Sequence, residues 1–371
     1  MPLLALLPVS CGEYDIPGSK SGTVEKVSFS KREVAGILSG LPIGAEQLKE
    51  VYDAVNASSG NGYDEEYTLK DLITNPGSGV GDAGTRASSY GTPMRSLFED
   101  YFSGVCATRS GAVDAQACLD ALAASDLQIY VPYSEDWDGT TYPIITFDPG
   151  YGAESNYGYE ITVDEDGVRI IDSVFVNEKV AASRPVWVIN SNTDSGFTPA
   201  ELFLTRAGGS SGTGSGRQLK LKNFRMLRNY DTWFAGGSEF HVQMGAVDGF
   251  SASTEAELRL YNPSISEFMI VVKRKQLGEL LRYDAVILTD FTDQMDKLAF
   301  LVTEDDGGTR TSWKCSATVK VQSKSYGFDV DLPYNDRDDI VWRGQLASDY
   351  FLGQKDTKGR FGDVEITFSL E

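Results

Sequence analysis

Two hydrophobic rhythms divide this chain. Up to about residue 125, apolar side chains recur at helical spacing; beyond it they alternate with polar ones, as strands require. The strongest helical stripe places Met94, Leu97, Phe98, Tyr101, Phe102 and Val105 on one face. Thr92-Pro93 ahead of it supplies an N-cap and a first-turn proline. Shorter stripes predict helices over 31–38 and over 45–57, the latter with Leu48, Val51, Tyr52 and Val55 together. A small-residue helix is predicted over 114–124. The Gly/Ser-rich stretch 76–92 has no period and is predicted to be a mobile loop.

Strand alternation begins at Leu127. Runs over 127–132, 142–147, 159–163, 168–175 and 184–190 predict an antiparallel sheet, with a hairpin turn at Asp164-Glu165-Asp166-Gly167. Residues 207–217, AGGSSGTGSGR, form the clearest linker in the chain. After it, Leu219 and Leu221 alternate with polar neighbours. Phe240, Val242 and Met244 share one face of the next strand. Asn262-Pro263 breaks the chain before Phe268-Met269-Ile270-Val271-Val272. Strands are then predicted near 285–288, 298–302, 312–322 and 364–368. The expected fold is α+β: an N-terminal helical segment (31–125), a central antiparallel β region (126–206), the linker, and a C-terminal antiparallel β-sandwich (218–371).

Three stretches of the last unit resemble a C2 domain. GGSEFHV (236–242) is similar to that family's G-x-S-D-P-Y-V strand, NPSISEF (262–268) to its N-P-x-x-N-E-x-F turn, and ILTDFTD (287–293) to its V-x-D-x-D loop. The resemblance covers roughly 150 residues. It implies an eight-stranded sandwich with a calcium site built by carboxylates of two loops. The ligands it implies are Asp231, Glu239, Asp290, Asp293 and Asp296, because Ca²⁺ takes several hard oxygen donors. The family spacing is not kept: Glu239 stands at an aspartate position and Thr292 at another. The alternative is that these acids are solvated loop residues. A second acidic string, TEDDGG (303–308), reads as a turn, and DVDLPYNDRDD (329–339) adds further acids.

Charge narrows the partners. The 371 residues hold 54 acidic and 33 basic side chains, a net charge of −21. That excludes nucleic acid, whose phosphates need lysine and arginine. The one compact basic run is Lys273-Arg274-Lys275, too little for a lipid-facing patch. Near the N-terminus, LLALLPVSC ends on Cys11 and looks like the tail of a bacterial lipoprotein signal, so residues 1–30 are read as signal remnant and tether. The implied location is the cell envelope, with a lipid anchor on Cys11 as the only membrane contact. Cys106 and Cys118 form a disulfide across two helices or stay as two buried thiols.

Several catalytic classes are excluded. The single histidine, His241, cannot share a metal with another, and it is expected at the surface or rim. G-x-S-x-G at Gly208–Gly212 lies in the linker, without the strand–turn–helix context it needs. G-x-G-x-x-G at Gly79–Gly84 lies in a loop rather than between a strand and a helix. Tyr133-Ser134-Glu135-Asp136-Trp137-Asp138 offers a carbohydrate surface or, alternatively, a loop whose aromatics fold back on the sheet. The resulting expectation is a binding or structural module, calcium-stabilised, that recognises a glycan or protein ligand; the alternative is a carboxylate-dependent hydrolase of glycan or peptide.

Overall fold

The computed structural model describes residues 27–80, 90–108, 114–164, 168–192, 198–200 and 217–371, without the side chains of 106–108. Cys11, the Cys106 side chain, the turn 165–167 and the linker up to 216 lie outside these residues, as does most of the expected mobile loop. The fold is mixed α+β: helices first, then antiparallel sheets.

Five helices open the chain: α1 (Lys31–Gly40), α2 (Ala45–Gly60), α3 (Leu69–Thr74), α4 (Met94–Thr108) and α5 (Ala115–Ala123). A capping box starts α1, with Ser30 and Glu33 each taking the other's amide proton. At the start of α4 the Met94 amide donates to the buried Glu50 carboxylate at 2.6 Å. Met94, Leu97, Phe98 and Phe102 are buried as the stripe predicts, whereas Tyr101 is exposed.

The helices pack on one six-stranded sheet. Its strands are β1 (Glu66–Thr68), β2 (Leu127–Tyr130), β3 (Ile144–Phe147), β4 (Ser155–Val163), β5 (Arg169–Asn177) and β6 (Val186–Ser191), in the order β1-β2-β6-β3-β4-β5. Only β3 and β6 run parallel. The helical segment and the central strands therefore share one core, in which Val51, Leu72, Phe98 and Leu119 meet Ile129, Ile145, Trp187 and Ile189. Trp137 belongs to this core, its ring edge-on to Tyr52 and Trp187. The carbohydrate-surface reading of 133–138 thus gives way to folded-back aromatics. The short helix α6 (Glu178–Ala181) follows β5.

The C-terminal unit is a sandwich. One sheet has the order β10-β7-β16-β15, from β7 (Arg217–Met226), β10 (Leu281–Phe291), β15 (Asp356–Phe361) and β16 (Val364–Leu370). The other contains β8 (Ser238–Ala246), β9 (Ser264–Val272), β11 (Met295–Glu304) and β14 (Asp339–Ala347), with β11 between β8 and β14. Phe240, Val242 and Met244 face inward as expected, against Leu221, Phe224, Ile366 and Phe368. The hairpin of β12 (Arg310–Val321) and β13 (Lys324–Asn335) folds over the outer face of the second sheet. There Ala299 and Leu301 meet Val319, Val330 and Leu332. Both faces of β11 are covered, which explains its nearly continuous apolar sequence.

Candidate metal centre

The β11 strand ends in a register anomaly. Leu298, Phe300 and Val302 point into the sandwich, and the next residue of that series is Glu304, a carboxylate 1% exposed. Both its oxygens are buried without a hydrogen-bond partner. Asp231, from the loop between β7 and β8, and Asp306, just past β11, complete a cluster. One carboxylate oxygen from each of the three lies within 4.8 Å of the others. Among the described residues this is the one group of three or more acidic, histidine or cysteine side chains so arranged. The triad could hold a metal ion.

The local electrostatics point the same way. Burial first, then the charge of Asp231, pushes the Glu304 carboxyl far above the usual carboxylate range. Burial also raises Asp231 and Asp306, the latter aided by Asp339 and Asp305. Glu304 is buried, Asp231 partly buried and Asp306 exposed, and a cation beside the three would favour their ionised forms.

A second layer holds the loops. Asp305 accepts from the Gly307 amide at 2.8 Å and from Asn335 Nδ2 at 3.3 Å. Asp338 accepts from the Asn335 amide at 2.8 Å, and burial lifts its carboxyl to about 7. Asp336 accepts from the Thr309 amide at 2.8 Å. These contacts lace 304–309 to 335–339, so TEDDGG and NDRDD form one structure. His241 lies beneath them, Nε2 3.7 Å from Asp305 Oδ2 and fully buried. This corrects its expected rim position: the odd-numbered face of β8 is covered rather than open to solvent. Burial pushes its imidazole down to about 4, so it is neutral near pH 7.

The implied ligand set divides between the two ends of the sandwich. Asp231 and Glu239 lie at the triad's end, where the Asp305 amide donates to the Glu239 carbonyl at 2.9 Å. Asp290, Asp293 and Asp296 surround the turn into β11, at the opposite end. Ten residues of strand separate that turn from Glu304, about 30 Å. Asp293 pairs with Arg217, and Asp296 with Lys320 at 2.8 Å. The Asp290 amide donates to Asp248 at 2.9 Å. Of the implied set, only Asp231 joins the triad; Glu304 and Asp306 replace the rest. The signal for Glu304 was present in the sequence, as an acid on the inward register of an apolar strand. Cys118 is buried on α5, and Cys315 is a thiol raised to about 11 by burial.

The loop that carries Asp231 also joins the two units. Trp233 and Phe234 insert under the six-stranded sheet, against Tyr130, Ile144, Val176, Val186 and Val188. Trp233 Nε1 donates to the Glu154 carbonyl at 3.0 Å, and Asn190 Nδ2 to the Phe234 and Ala235 carbonyls at 3.1 and 2.6 Å. Arg274 Nη1 donates to the Asp231 carbonyl at 2.7 Å, and its other nitrogens bind Glu178. The Lys273-Arg274-Lys275 run thus serves the interface, with Lys275 paired to Asp136. Compared with known proteins, the chain matches no family model, no curated protein and no solved structure.

Proposed function

We propose that this chain is a calcium-stabilised binding or structural module of the cell envelope, with Asp231, Glu304 and Asp306 as the protein ligands of the ion. The observation that carries this reading is Glu304, an inward carboxylate with no donor to either oxygen. An all-oxygen donor set suits a hard cation. Zinc prefers nitrogen and sulfur, and magnesium demands a near-ideal octahedron, whereas calcium accepts irregular loop geometry and completes its shell with carbonyls and water. The C2 resemblance and the Cys11 lipidation signal agree with a module tethered at a surface where calcium is plentiful. The hydrolase alternative is less well supported, because a carboxyl 1% exposed cannot reach a glycosidic or peptide bond.

Thermal unfolding in excess chelator and then in millimolar calcium tests the reading. Calcium at one hundred times Kd should add about 2.7 kcal/mol to stability. The Glu304→Gln variant should lose this response. An equal response in wild type and variant would remove the triad from consideration, and no response in wild type would remove calcium.

A further inference from the structure

We infer that the ion at Asp231, Glu304 and Asp306 acts as a strut that fixes the docking of the N-terminal α/β unit on the sandwich. This rests on the cation reading of the triad and adds its structural consequence. The loop 227–237 has two ends of work. At one end Asp231 offers its carboxylate to the triad, whose Glu304 partner is buried and lacks donors. Two residues later Trp233 and Phe234, with ring centroids 3.9 Å apart, are fully buried under the other unit's sheet.

Little slack separates the two ends. The Asp231 carbonyl is clamped by Arg274, which is itself held by Glu178 of α6. The loop then closes on Asp64 of the N-terminal unit, whose carboxylate accepts from the Gly237 amide at 2.8 Å. Gly236 has φ +143, and a Cβ there would sit 2.6 Å from Asp64 Oδ2, so this approach requires glycine. A cation would tie Asp231 to Glu304 and Asp306, and so hold in place the loop that carries Trp233 and meets Arg274; without it that tie is absent. Because coupling is reciprocal, docking strength and ion affinity must influence each other.

Hydrogen exchange of the full chain, with EGTA and with calcium chloride, tests this alongside thermal unfolding. The expected result is calcium-dependent protection of 304–309 and 335–339 and also, across the interface, of the Gly237 amide and of β2 and β6. Trp233→Ala, which leaves every triad carboxylate intact, should weaken calcium affinity about fivefold or more. Arg274→Ala gives the same reading without emptying the core: protection of the C-terminal loops remains while the gain in β2 and β6 is lost. Calcium stabilisation with protection confined to the C-terminal loops, and unchanged affinity in both variants, overturns the strut and leaves the cation site standing. Absence of both stabilisation and protection overturns the cation reading itself, and the strut with it.

Discussion

At one end of the sandwich, Asp293 faces Arg217, Asp296 faces Lys320 with Thr318 and Ser325 beside it, and Asp248 collects the amides of Thr289 and Asp290. At the other end, Asp231, Glu304 and Asp306 converge with no lysine or arginine ion-paired to them among the described residues, and Glu304 has no donor at all. The two ends carry similar numbers of acids, yet only the second buries an acid, Glu304, with no basic partner and no hydrogen-bond partner. A candidate cation site is thus better picked out by desolvation and missing basic partners than by the density of aspartates in the sequence.

A third acid sharpens the comparison. Glu50 is as buried as Glu304, but it accepts from Tyr67 at 2.9 Å and from the Met94 amide at 2.6 Å. Burial still raises its carboxyl to about 7. The folded protein therefore holds this proton more tightly than the unfolded chain does. Its contribution is fully present below about pH 4.5 and is lost as pH rises through about 7, a change of about 3 kcal/mol at most. Denaturant midpoints between pH 4.5 and 7 should fall less steeply in Glu50→Gln than in wild type, and addition of calcium should not alter that difference. An unchanged slope would show that Glu50 titrates normally.

The next largest effect concerns Glu304 in the absence of calcium. In chelator near neutral pH, Glu304→Gln should be more stable than wild type by about 1–3 kcal/mol, since an unsatisfied buried acid is replaced by a neutral amide. In calcium the order should reverse. A variant less stable than wild type in both conditions would mean that Glu304 has partners that the carboxylate alone satisfies. The smallest effect is expected at the opposite end. Asp293→Asn and Asp296→Asn should each cost under about 1 kcal/mol, as exposed or half-exposed pairs do, and the loss should shrink in high salt. Their calcium response should equal that of wild type; a lost response there would return the ion to the turn before β11.

Local chemistry made much of the fold legible. The stripes in α2 and α4 and the alternation in β8 each satisfy a rule that operates within a few residues, whereas Ser30, which opens the α1 capping box, lay in the stretch read as tether. Elements missed by periodicity have two causes. β1 has three residues and α3 six, too short to display a period. The exposed, polar-rich strands β13 and β14 pack only one face, so their apolar positions are sparse. His241 was misplaced because the strand pattern gives the face but not what lies over it, which is the segment carrying Asp305.

The sequence by itself determined the α+β order, the inward faces of the strands, the net negative charge and the set of acids from which any cation site must be drawn. It also put Glu304 on the inward register, one step after Val302. Only the tertiary structure decided which acids meet. Strand length sends the acids on either side of β11 to opposite ends of the sandwich, while antiparallel pairing of β8 with β11 brings Asp231 back beside Glu304. Contacts of that kind join residues 73 positions apart, and no local pattern of charge or hydrophobicity encodes them.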